Sequence, residues 1–397
     1  MVNVFFITET QRLRENIIKM NFSFSKYLFL LGLYLITVNS QTFAQVRFAA
    51  IGDYGLAGDN ELAVANLVKS WNPDFIVTLG DNNYPLGADS TIDQNIGQYY
   101  HEYIYPYKGN FGTGSNVNKF FPALGNHDWY SDSGKPYFNY FTLPGNERYY
   151  DLICGNVHLY ILDSEPIEPD GVSDTSIQAM WLKKSLNSSW EKWNIVIVHH
   201  APYSSGPHGS TNFTQWPYKL WGADLVLSGH DHVYERLRID SLSYIICGAS
   251  GHSLYSFLEP LDGSIFRYNA NYGALLIEAD EEKLITKFYN INNELIDSTS
   301  IENRIGHYSV NEFLLNQNFP NPFNSETKIR MEVPVSGWQT LKVYDVLGNE
   351  VKILIDEFKP AGKFEIEFDA NNLASGIYFY TLRSGDFIQT KKMILLK

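Results

Sequence analysis

The stretch Leu79-Gly80-Asp81-Asn82-Asn83-Tyr84 decides how this chain is read. The apolar run from Phe75 to Leu79 breaks at a glycine, and a carboxylate, two amides and a tyrosine follow. Four other segments share that plan of β-prone run, sharp break and metal-ligand side chains. They are Val46 to Gly52 before Asp53, Phe120 to Gly125 before Asn126 and His127, Ile195 to Val198 before His199 and His200, and Asp224 to Gly229 before His230 and His232. Short apolar runs bounded by turn residues predict buried strands. In open α/β sheets, ligands bind beyond the carboxyl ends of the strands. Five strand ends are therefore expected to meet at one metal site with Asp81 at its centre.

The donors suit that site. Asp53, Asp81, Tyr84, Asn126, His200, His230 and His232 offer carboxylate, phenolate, amide oxygen and imidazole, which hard and borderline metals accept. One carboxylate can bridge two metals, and a pair roughly 3.5–4 Å apart can hold a phosphate ester and activate water. Each piece alone is weak, because a Gly-Asp pair is usually a turn and a histidine pair is often a solvated loop. The inference rests on all five occurring together, each after an apolar run.

Composition sets the bounds. The chain has 397 residues, more than one average domain, and is 44% hydrophobic and 19% charged, enough apolar material for real cores. A net charge of −14 argues against a sequence-independent nucleic-acid binder. Small phosphate substrates remain open, because metals can supply local positive charge. The two cysteines, Cys154 and Cys247, are no disulfide framework and lack Cys-x-x-Cys spacing. Each follows an apolar stretch and reads as a buried thiol, with a single bridge between them left open.

In order, the chain opens with Lys26 before the apolar run Tyr27 to Val38, then polar residues and Thr42-Phe43-Ala44. A basic flank, a short apolar core and a small-residue exit describe a secretory signal, so residues 1–44 are read as extension and signal, with Met20 as an alternative start. The run is too short for a comfortable membrane span. Next come a strand, a helix with Val64, Leu67, Val68 and Trp71 on one face, and the strand before Asp81. This β-α-β opening implies parallel pairing and α/β layers. Residues 84–119 read as a partly structured insertion over the site. Ile177, Trp181, Leu182 and Leu186 predict a helix on the sheet. The expected boundaries are a catalytic domain at 45–305, a linker at 306–317 and a second domain at 318–397. In that last region Ile329, Met331 and Val333, and Phe364, Ile366 and Phe368, alternate with polar neighbours between frequent turns, the pattern of a small all-β sandwich.

Gly52-Asp53-Tyr54-Gly55, Gly80-Asp81-Asn82-Asn83-Tyr84, Gly125-Asn126-His127-Asp128, His199-His200-Ala201-Pro202 and Gly229-His230-Asp231-His232 resemble the five blocks of the calcineurin-like metallophosphoesterases, and within them the purple acid phosphatases. The resemblance covers residues 46–290. It implies an α/β fold, a β-sandwich flanked by helices, and hydrolysis of phosphate monoesters by attack of a metal-bound hydroxide. Carried over by position, Asp53, Tyr84 and His232 hold a first metal, typically Fe(III). Asn126, His200 and His230 hold a second, Fe(II), Zn(II) or Mn(II), and Asp81 bridges the two. His127 is then general acid or transition-state donor, and His208 a second substrate-side histidine. His199 is structural or supporting, while His101, His158 and His252 have no motif around them.

Asn318-Phe319-Pro320-Asn321-Pro322-Phe323-Asn324, Val343 to Gly348, Ser375-Gly376-Ile377-Tyr378, and Lys391 and Lys392 resemble the type A sorting domain of the type IX secretion system. That likeness implies an immunoglobulin-like sandwich, the Sec translocon and the type IX machinery as partners, and a secreted or surface protein of a Gram-negative bacterium, without a transmembrane segment once mature. An exported acid phosphatase is the leading expectation. The competing ones are a phosphodiesterase or nucleotide hydrolase on the same metals, and a surface binding protein with a silent site.

Overall fold

A computed structural model describes residues 45–302 and 312–397. The signal sequence and half of the linker expected from the sequence lie outside these residues.

The chain enters with β1 (Val46–Ile51), which pairs in parallel with β2 (Phe75–Thr78) through helix α1 (Asp59–Ser70). Asp59 in the first turn of α1 and Lys69 in the last complement the helix dipole. Val64, Leu67 and Val68 are buried, and Asn72, at φ 48°, and Pro73 end the helix. A third parallel strand, β3 (Phe120–Phe121), follows β2.

The second sheet is built from β4 (Tyr150–Cys154), β5 (Val157–Ile161), β6 (Trp193–Ile197), β7 (Leu225–Ser228), β8 (Tyr234–Ile239), β9 (Leu242–Cys247) and β10 (Ser264–Tyr268), in the order β10-β8-β9-β7-β6-β5-β4. In it β5, β6, β7 and β9 run parallel. The first sheet is completed by β11 (Gly273–Ala279), β12 (Lys283–Asn290) and β13 (Leu295–Glu302), in the order β13-β12-β11-β1-β2-β3. Phe48 and Val77 of the first sheet and Leu159, Ile195, Ile197 and Ile245 of the second share one core. On the other face of the second sheet Val196, Val198 and Val226 pack with Leu182 and Leu186 of α2 (Ile177–Ser188). This is a two-sheet sandwich flanked by helices.

Two expectations change in detail. Ile177 is 65% exposed at the start of α2, and the inward face is Gln178, Ala179, Leu182 and Leu186. Residues 89–103 form consecutive short helical turns, and Ile92, Ile96 and Tyr100 are buried in the main core. The expected partly structured insertion is thus helical in this part and packs its apolar side into the core. Cys154 and Cys247 are both free. Burial raises their thiol pKa values to about 11 and about 12 respectively.

The C-terminal region is all β, with sheets β14-β15-β18 and β17-β16-β19-β20, where β14 is Leu314–Leu315, β15 Glu326–Val333, β16 Gly337–Tyr344, β17 Glu350–Lys359, β18 Gly362–Asp369, β19 Gly376–Ser384 and β20 Phe387–Leu395. Ile329, Met331 and Val333 are fully buried in its own core. It meets the first domain at Trp190, whose ring lies under the Arg330 guanidinium at 5.5 Å and the Lys363 ammonium at 5.7 Å. Lys363 Nζ also donates to the carbonyls of Asn187 in the last turn of α2 and Ser189 just after it, both at 3.0 Å.

Candidate metal centre

The carboxyl ends of β1, β2 and β3 in one sheet and of β6 and β7 in the other face a common point. Asp53 follows β1, Asp81 and Tyr84 follow β2, Asn126 and His127 follow β3, His199 and His200 follow β6, and His230 and His232 follow β7. Asp53 and Asp81, both at φ 55°, and His230, at φ 70°, have left-handed backbone. Such a conformation costs a non-glycine residue about 1–3 kcal/mol and persists only where the surroundings impose it. Here they do. His230 N–H donates to Asp53 Oδ2 at 2.9 Å, and His127 N–H donates to Asp81 Oδ1 at 2.9 Å. Gly125 has to be glycine, because a Cβ there would lie 2.3 Å from Asp81 N and Oδ1.

Four donor atoms crowd one position. The Tyr84 hydroxyl stands 2.8 Å from Asp81 Oδ2, 3.3 Å from Asp53 Oδ1 and 3.1 Å from His232 Nε2. His232 Nδ1 donates to the Ser253 carbonyl at 2.8 Å, which leaves Nε2 as the lone-pair nitrogen. Beside this group, His199 gives its Nδ1–H to the Leu79 carbonyl at 2.7 Å. Its Nε2 lies 3.2 Å from Asn126 Oδ1 and 3.5 Å from Asp81 Oδ1. Asp53, Asp81 and His199 are all buried, with ligand atoms within 4.8 Å of one another.

The electrostatics call for a cation. Burial, then Asp53 and Asp81, push the Tyr84 phenol far above its ordinary range. Burial pulls the His199 imidazole down, but Asp81 and Asp53 outweigh it and hold the pKa above the usual value. Burial raises Asp81, and His199 and His127 reverse that to a net lowering. Burial and His199 lower His200 to about 3, and burial and the surrounding imidazoles lower His230 further. Two buried carboxylates, a phenol and several imidazoles form a donor set that divalent and trivalent metals fit.

The remaining candidates lie around this centre. His127 donates Nδ1–H to the Pro85 carbonyl at 2.6 Å and presents Nε2 4.0 Å from Asp81 Oδ2. His208 is exposed and stacks on His230 with centroids 4.2 Å apart. Its backbone N–H donates to Asp231 Oδ1 at 3.0 Å. The His200 ring lies 4.4 Å from that of His230, but its Nδ1 meets Ser164 Oγ at 2.8 Å and its Nε2 is 3.5 Å from Glu165 Oε1. It is therefore His199, not His200, that reaches Asp81 and Asn126.

Residues 46–234 match the model of the calcineurin-like phosphoesterases. They form a calcineurin-like phosphoesterase domain. Purple acid phosphatase 17 of Arabidopsis thaliana is 26% identical over 301 residues, covering 67% of this chain and 87% of that protein. Human tartrate-resistant acid phosphatase type 5 is 24% identical over 255 residues, 54% of this chain and 74% of its own. In fold, the phosphoesterase domain is similar to purple acid phosphatase PPD1 from yellow lupin seeds, with a TM-score of 0.55 and 18% identity over 65% of this chain and 54% of the lupin chain. It is also similar to GAP50, the anchor in the inner membrane complex of Plasmodium, with a TM-score of 0.52 and 19% identity over 66% of this chain and 89% of that one. Residues 317–396 match the secretion system C-terminal sorting domain. Among the described residues no helix is long and apolar enough to cross a membrane.

Two residues at the centre of the phosphoesterase domain escaped the sequence reading. Glu165 lies beside His200, with no motif to mark it. His252, which has no motif, stacks on Tyr84 with centroids 4.2 Å apart. A signal for it was present, because Leu242–Cys247 is another buried strand, parallel to β7, that breaks at Gly248 before reaching His252.

Proposed function

We propose that the chain is an exported acid phosphatase that hydrolyses phosphate monoesters at a dinuclear metal centre, of Fe(III) with Fe(II), Zn(II) or Mn(II). The observation that supports this most is the convergence of Tyr84, Asp53, Asp81 and His232 on one position, beside a second nitrogen-and-oxygen set. Asp53, Tyr84 and His232 hold the first metal. Asn126, His199 and His230 would hold the second, with His199 in the place that the sequence reading gave to His200, and Asp81, between the two sets, would serve both. When bound, the metal pair supplies Lewis acidity and an activated water nucleophile.

The protein's own part is proton placement. His127 is anchored through Nδ1–H to Pro85, so the proton it can give away is the one on Nε2. As the phosphorus–oxygen bond breaks, Nε2–H passes its proton to the departing alkoxide. His208, exposed beside His230, donates to the phosphoryl oxygens or the leaving group. The sorting domain implies secretion machinery as a partner. Deleting residues 315–397 is expected to strand the protein in the periplasm.

The test uses the full chain, loaded with iron and a divalent metal. An aryl phosphate monoester is compared with the matching diester at acid and neutral pH. A strong monoester preference in acid supports the proposal, and a diester preference replaces it with a phosphodiesterase. No turnover of either, in protein that holds two metals, favours a binding role.

A further inference from the structure

His252 touches all three residues proposed for the first metal. Its ring stacks on Tyr84, with centroids 4.2 Å apart and planes 28° from parallel. Its Nδ1 lies 3.2 Å from His232 Nδ1, and its backbone N–H donates to the Asp53 carbonyl at 3.0 Å. The tautomer follows from the neighbours. His232 Nδ1 carries a proton, because its other partner is the Ser253 carbonyl, and the Ser253 hydroxyl lies 3.1 Å from His252 Nδ1. His252 Nδ1 is therefore the acceptor, with its own proton on Nε2.

The Tyr84 side chain has one soft degree of freedom that matters for a ligand, the tilt of its ring about the Cβ–Cγ bond. The tilt sets where the phenolic lone pairs point. His127 leans on the same ring at 4.3 Å, with planes at 48°. Of the two imidazoles, His252 is the more nearly parallel and so covers more of the ring face.

We propose that His252 is a positioning residue for Tyr84, which fixes the phenolate's orientation toward the first metal and so tunes the ligand-to-metal electronic coupling. This rests on the reading of Tyr84 as a ligand. The side chain acts through its flat ring, and its nitrogen contacts are secondary.

The test has a readout independent of turnover. Full-length protein is loaded with Fe(III), and the tyrosinate-to-iron charge-transfer band and the iron dissociation constant are measured. H252A and H252N, which lack an aromatic ring, are expected to shift the band and weaken iron binding about tenfold. H252F, which keeps a ring and loses both nitrogens, is expected to restore the wild-type band and affinity. Unchanged bands in H252A and H252N, or an H252F protein that behaves like H252A, overturn the proposal. A wild-type protein that binds iron without any such band removes the Tyr84 ligand reading and this inference with it.

Discussion

The side-chain amide of Asn82 donates to Asp128 Oδ2 at 2.8 Å, and through that bond the loop carrying Asp81 is tied to the loop carrying Asn126 and His127. The same carboxylate accepts Asn82 N–H at 3.1 Å and Gly125 N–H at 2.9 Å. Asn82 Oδ1 in turn accepts from Thr78 and Tyr54, so the residue beside Asp53 joins the network. Replacing Asp128 with alanine would leave three buried donors without an acceptor. The expected outcome is a loss of about 3 kcal/mol in urea unfolding, with metal affinity reduced about tenfold or more.

Asp81 and His127 separate metal retention from chemistry. Asp81→Ala is expected to lose both metals by elemental analysis, because Asp81 Oδ2 faces Tyr84 and its Oδ1 faces His199. His127→Ala should retain the metals and lose about 10²–10⁴-fold in kcat, the range for a displaced general acid. A His127→Ala protein with unchanged kcat would remove this histidine from the proton path.

The histidine doublet gives a second contrast. His199→Ala is expected to lose the second metal and keep the first, while His200→Ala keeps both and perturbs the Ser164 and Glu165 side of the site. Metal stoichiometry and the tyrosinate band read the two variants apart.

Asp224, next to β7, gives a stability test remote from the metals. Burial lifts its carboxyl to about 6, against the pull of the Asn194 N–H and of Lys219. In the unfolded chain the group titrates near ~3.9. A raised carboxyl favours the folded state fully below the unfolded pKa, and that advantage is lost as pH rises through 6. Asp224→Asn, whose amide oxygen can still accept from Asn194, is expected to match the wild type near pH 4. It should gain about 2 kcal/mol by pH 8 in denaturant titrations across that window.

The sandwich and the convergence of its strand ends were legible because the strands are near-continuous apolar runs that stop at glycine before polar side chains. The choice between His199 and His200 was not. Ile195, Val196, Ile197 and Val198 are all apolar, so the sequence does not say which parity faces the other sheet. The structure turns Ile195 and Ile197 into the inter-sheet core and Val196 and Val198 toward α2. Continuing that alternation sends His199 inward. Residues 89–103 were hard to read for a different reason. Their apolar positions Ile92, Ile96 and Tyr100 have helical spacing, but the segment passes through α, π and 3₁₀ turns and shows no single period. The packing of His252 on Tyr84 joins residues 168 positions apart, a distance that no local pattern spans.

The proposed donors come from both sheets: Asp53, Asp81, Tyr84 and Asn126 from one, and His199, His230 and His232 from the other. Neither half alone offers more than part of a coordination sphere. A chain with only one sheet formed has nothing that grips a metal firmly, so capture waits until the sandwich has closed. For a protein with a secretion sorting domain, the compartment in which it folds is then the compartment in which it is metallated. On the proposed reading, the metal supply of that compartment then sets how much of the protein becomes active.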